Sequence, residues 1–155
     1  IWYFVTHLGE VQPVDVSGAQ IKLLPKWKAG ETGAATSWIP GDILQNVAIH
    51  KSDNILYMLM HNGSLAPKGG GSDYHRQTGS EVWAFDAATG KRLRRIALSQ
   101  PTQAIAVSQD DAPLLYGSTL FSNLLLVIDP RSGNELRKIN ANLAMPSLVQ
   151  PVEPQ

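Results

Sequence analysis

Residues 82–96 read Val82-Trp83-Ala84-Phe85-Asp86-Ala87-Ala88-Thr89-Gly90-Lys91-Arg92-Leu93-Arg94-Arg95-Ile96. Residues 125–139 read Leu125-Leu126-Val127-Ile128-Asp129-Pro130-Arg131-Ser132-Gly133-Asn134-Glu135-Leu136-Arg137-Lys138-Ile139. The two stretches share one pattern at an offset of 43 residues: an apolar run, Asp, Thr/Ser-Gly, then Leu-Arg-basic-Ile. An apolar strand ends at the Asp, whose carboxylate can accept backbone N–H groups of the following turn. The glycine supplies the positive φ that the turn needs. The next strand is expected to set Leu93 and Ile96, or Leu136 and Ile139, toward a core and its basic residues toward water. Each unit therefore ends in a β-hairpin. A shorter third copy runs Val14-Asp15-Val16-Ser17-Gly18, followed by Ile21 and Leu23.

Two more strands are expected ahead of each hairpin. Asn46–His50 and Ile55–His61 precede the first, and Ala104–Ser108 and Leu114–Ser118 precede the second. Four short antiparallel strands repeating every 40–50 residues are the signature of a β-propeller blade. Two tandem meanders in a β-sandwich are the alternative. The expected fold is all-β: a partial propeller of three to four blades. It divides into a partial blade over 1–24, a connector over 25–45, and blades over 46–98 and 104–140. A closing strand (Ser147-Leu148-Val149) and tail would fill 141–155. Loops as long as 25–45 and 62–80 are uncommon in compact domains unless they bind something or are disordered.

Composition narrows the function. The chain has 155 residues, with 13 basic and 13 acidic side chains and no net charge. That argues against nonspecific nucleic-acid binding and against a polybasic membrane anchor. The absence of cysteine excludes disulfides, thiolate metal sites and a cysteine nucleophile from these residues. No apolar run is long enough to span a bilayer as a helix. The first residues, Ile1–Thr6, already read as a strand, as expected of a mature product or a fragment.

Each chemical motif has a simpler structural account. His50 and His61 bound neighbouring strands but lack a third metal ligand at a telling spacing, so they read as polar strand ends. Lys68-Gly69-Gly70-Gly71-Ser72 lacks the spacing and context of a phosphate loop. No Gly-x-Ser-x-Gly elbow is present. Asp53, Asp110 and Asp111 fall in expected tight turns, where Asp is favoured without any catalytic role. Trp27 and Trp38, in the connector, are candidates for partner contact, because large amphipathic rings anchor interfaces. No self-contained active site is expected.

The stretches Trp38-Ile39-Pro40-Gly41, Gln45-Asn46-Val47-Ala48-Ile49-His50, Ile105-Ala106-Val107-Ser108-Gln109-Asp110, Pro113-Leu114-Leu115-Tyr116 and Asp129–Arg137 resemble the heavy subunit of quinoprotein amine dehydrogenases. Methylamine and aromatic amine dehydrogenases are the known members. The resemblance covers residues 1 to about 140 and maps to the C-terminal part of a seven-bladed propeller. It implies a periplasmic heterotetramer of two kinds of subunit. The small subunit would carry a tryptophan tryptophylquinone cofactor and the catalytic base. Primary amine would become aldehyde and ammonia, and electrons would pass to a small copper protein. No catalytic, cofactor-binding or metal-binding residue is then expected in this chain. Trp38, His61 and His75 are the expected partner contacts, by loop position and motif match. The family commonly has Trp-Arg-Pro-Gly-Gly where this chain has Trp38-Ile39-Pro40-Gly41-Asp42, a departure that leaves the substrate amine open. A β-propeller binding or structural module without redox activity is the alternative function.

Overall fold

The computed structural model describes residues 1–6, 8–32, 37–40, 45–62, 79–119 and 122–142. Thirteen strands and no helix occupy them. A first antiparallel sheet holds β1 (Trp2–Val5), β2 (Glu10–Asp15), β3 (Lys22–Leu23) and β4 (Trp27–Lys28), with β2 bonded to the other three. The second sheet runs through β5 (Glu31–Thr32), β6 (Ser37–Pro40), β7 (Val47–His50), β8 (Ile55–Asn62), β9 (Gly79–Asp86) and β10 (Arg92–Val107). It ends in β11 (Leu115–Thr119), β12 (Leu124–Ile128) and β13 (Glu135–Asn140).

β10 is long because it serves two blades. Its first half pairs with β9 and its second half with β11, with register shifts between. β7, β8, β9 and the first half of β10 form one four-stranded blade, and the second half of β10 with β11, β12 and β13 forms the next. This is the partial propeller expected from the 43-residue repeat. The segment expected as a connector, 25–45, contains β4, β5 and β6. β4 joins the first sheet, and β6 lines the edge of β8 beyond β7, with Trp38 opposite Asn62 and Val47 opposite Met58. The expected closing strand at 147–149 lies outside the described residues.

Both faces of the central blade are buried. Leu56, Met58, Met60, Trp83 and Phe85 pack against Val11, Ala29, Tyr3 and Trp27 of the first sheet. Tyr57, Leu59, Val82, Ala84 and Ile96 pack against Ile105, Val107, Leu115, Leu126 and Ile128 of the next blade. β8 is apolar on both faces for this reason, as a strand between two layers must be.

The repeated turns match in detail. In the first, Gly90 N–H donates to the Asp86 carbonyl at 2.8 Å and the Asp86 carboxylate accepts Thr89 N–H and hydroxyl at 2.8 and 2.9 Å. In the second, Gly133 N–H donates to the Asp129 carbonyl at 2.8 Å, and the Asp129 carboxylate accepts Arg131 N–H and the Ser132 hydroxyl at 2.8 and 2.6 Å. Gly90 and Gly133 have φ of 72° and 82°. The short third copy also caps itself, with the Asp15 carboxylate accepting Ser17 N–H and hydroxyl.

One expectation fails. Leu93, Leu136 and Ile139 are 50%, 55% and 42% exposed, and only Ile96 is buried. Leu93 and Leu136 are the extra residues of β-bulges at equivalent places: Arg92 and Arg94 oppose Phe85 and Ala84, and Glu135 and Arg137 oppose Ile128 and Val127. A bulge residue leaves the ladder and drops out of the alternation that would bury it.

Candidate functional site

The bulge at Leu93 decides what lies around Trp83. Three residues apart on a regular strand, Arg92 and Arg95 would point to opposite faces. The extra residue puts both beside the Trp83 ring, at 4.5 and 5.0 Å from its centroid. Arg95 also lies 4.9 Å from the Trp38 ring, and the Trp38 and Trp83 rings are 5.6 Å apart, tilted by 37°. The Glu81 carboxylate completes the cluster. It accepts the Trp83 indole N–H at 2.6 Å and two bonds from Arg95, Nε at 2.7 Å and Nη2 at 2.8 Å. Burial works to raise the Glu81 pKa, but the hydrogen bonds from Arg95 and Trp83 outweigh it, aided by the charges of Arg95 and Arg92. The carboxyl is held below its usual range. Trp27 extends the aromatic row through Phe85, with ring centroids 5.2 Å apart.

Trp38 is therefore half-buried on the central blade's first-sheet face, against Trp83. His61 is 5% exposed and opposes Ile39, so it points to the other face of the same sheet. The structure does not bring Trp38 and His61 together, although they sit on adjacent strands. His75 lies outside the described residues. Trp38 and His61 stand at the Asn62 end of β8.

His50 and His61 cannot share a metal. His50 opposes Ile55 at one end of β8, and His61 lies near the other end, about 20 Å away at the rise of a strand. No group of three or more His, Asp or Glu side chains converges among the described residues. His50 does end its strand, β7, as expected from sequence, but it is fully buried. Its Nε2 lies 3.1 Å from the Asp110 carbonyl and its Nδ1 3.2 Å from the Asp53 carboxylate, which also meets Arg131 at 3.3 Å. Asp53 thus both sits in its turn and joins two blades. Partners 60 and 78 residues away leave no local signal, so the sequence could not reveal this. Close by, Tyr57 is buried, and desolvation, with a smaller contribution from Asp53, pushes its hydroxyl pKa up. A separate crevice of about 320 Å³ lies between β1 and β7, lined by Tyr3, Val47, Ile49 and Leu56 among others. Its walls are mainly apolar.

Among the described residues the geometry is that of closely packed propeller blades. Residues 1–152 match the family described as methylamine dehydrogenase heavy chain. The chain belongs to the methylamine dehydrogenase heavy chain family. The heavy chain of Methylorubrum extorquens is 28% identical over 145 residues, which is 93% of this chain and 33% of that protein. The heavy chain of Methylophilus methylotrophus is 36% identical over 115 residues, or 74% of this chain and 26% of that one. The heavy chain of Paracoccus versutus is 28% identical over 137 residues, or 87% and 30%. This heavy-chain sequence thus spans about a third of the length of the relatives it matches. Among solved structures, the hydrazine synthase of Kuenenia stuttgartiensis is similar with a TM-score of 0.45 and 22% identity, over 64% of this chain and 23% of that one.

Proposed function

We propose that this chain is part of the propeller scaffold of an amine dehydrogenase, a periplasmic enzyme that oxidises primary amines to aldehyde and ammonia. The observation that carries the proposal is the family match over residues 1–152. In this reading the chain supplies no catalytic group. It holds a smaller subunit that bears the tryptophan tryptophylquinone and the catalytic base, and electrons leave to a small copper protein.

A quinone built within this chain would need an open indole edge for the amine to reach. The tryptophan pair in contact, Trp38 and Trp83, does not fit that requirement. Trp83 is 1% exposed, has two guanidinium groups within 5.0 Å of its ring, and gives its N–H to Glu81. These residues serve packing, and the reading keeps the cofactor on the partner. The partner-facing surface is proposed at the end of the central blade that carries Trp38 and His61, with His75, outside the described residues, as the third proposed contact.

The test is the visible spectrum of the natively purified protein before and after methylamine, then an aromatic amine. A quinone band that bleaches with amine is expected, together with a second, smaller chain on a denaturing gel. A featureless spectrum from folded, partner-free protein would move the reading to a binding or structural propeller. Osmotic-shock fractionation tests the compartment, with the protein expected in the periplasmic fraction.

A further inference from the structure

We infer that the Ser108-Gln109-Asp110 turn is an inter-blade clasp, in which the Gln109 side-chain amide takes the place of a strand's peptide group. Between the two blades, Ile105 N–H, in the second half of β10, donates to the carbonyl of Gln45, just ahead of β7, at 2.8 Å. The strand then ends at Val107. From there the side chain continues the pairing. Gln109 Nε2 donates to the Ile49 carbonyl at 2.8 Å, and Gln109 Oε1 accepts Lys51 N–H at 3.0 Å. Bonding to the carbonyl of one residue and to the N–H two positions on is what a residue of a parallel neighbouring strand does.

The turn itself is braced. Ser108 N–H donates to the Leu114 carbonyl at 2.9 Å, and the Ser108 hydroxyl accepts Leu114 N–H at 2.8 Å. The Asp110 carbonyl meets the buried His50 ring, whose other nitrogen faces Asp53, and Asp53 meets Arg131 of the turn between β12 and β13. The clasp lies at the Ile55 end of β8, opposite the end that carries His61. It fixes the angle between blades without touching the proposed partner surface.

The test is hydrogen exchange at single amides in the whole protein, comparing wild type with Gln109→Ala and with Gln109→Asn, whose amide is one methylene too short to bridge. Exchange at Lys51 is expected to rise about tenfold, the value of one ordinary hydrogen bond, while Val127 in the next blade stays within about twofold. An equal rise at both amides would show general destabilisation and overturn the clasp, as would no change at Lys51. Should neither variant fold, the wild type still decides. A slowly exchanging Lys51 amide supports the clasp, and one exchanging as fast as an open turn overturns it. None of these readouts depends on amine oxidation.

Discussion

Gly90 lies directly against the indole of Trp27. A Cβ built on Gly90 would come within 2.5 Å of two ring carbons and 2.8 Å of the Trp27 Cβ. The turn of one repeat thus seats the aromatic side chain of the preceding sheet. Gly133 holds the same place in the next repeat with a similar φ, yet the nearest atom to its Cβ would be Ile96 Cγ1 at 3.8 Å, an ordinary contact.

Equivalent glycines should therefore respond differently. Gly133→Ala meets only the strain of a left-handed backbone and should cost about 1–2 kcal/mol. Gly90→Ala adds overpacking against the Trp27 ring, for a total of about 2–5 kcal/mol. Urea denaturation of the two variants tests this, and equal losses would contradict it.

The bulges yield a second contrast. Leu93→Ser and Leu136→Ser change exposed side chains and should shift stability by no more than about 0.5 kcal/mol. Ile96→Ala removes a buried side chain between two blades and should cost about 2–5 kcal/mol. If Leu93→Ser proved as damaging as Ile96→Ala, the bulge assignment would fail.

Glu81 should add to stability in a pH-dependent way. Its folded pKa is lowered, so its contribution is present above the ordinary value of 4.5 and is lost as pH falls through the lowered folded value. Glu81→Gln should lower stability at neutral pH by about 1.5–3 kcal/mol, the range for hydrogen bonds to a charged group. It should also flatten the acid limb of the stability curve. Thermal midpoints from pH 7 down to pH 3 give both readings, and parallel curves for wild type and variant would count against the ion-pair account.

Asp129 is lowered as well, first by the Ser132 hydroxyl and then by the Arg131 N–H. The sign is the same: the turn is tightest above the ordinary carboxylate range and loosens as acid protonates the cap. Asp129→Ala should speed exchange of the Arg131 amide at neutral pH and remove its acid dependence. An unchanged Arg131 amide would show that Pro130 and Gly133 shape the turn without the carboxylate.

Much of the fold was legible in the sequence because its signals are local. Asp, Thr/Ser and Gly at fixed spacing announce a turn through bonds spanning no more than four residues, and the 43-residue offset announces that the turn recurs. Trp38 could be singled out as a large ring beside Pro and Gly, but its face could not. The ring lies over Trp83, and His61 points through the other side of the sheet. The buried ring of His50, the doubled guanidinium contact on Trp83 and the clasp of Gln109 depend on register and on residues far along the chain.

Ile96 and Ile139 show where the division falls. They occupy the same position of the same repeat, each on the outermost strand of its blade, and the sequence alone determined that much. Ile96 is 1% exposed and Ile139 is 42% exposed. Their own residues do not differ in kind. Ile96 has the next blade packed against its face, whereas among the described residues no further blade lies against Ile139. Local pattern sets which way a side chain points. Burial depends on the layer that meets it, and that layer is supplied by chain remote in sequence.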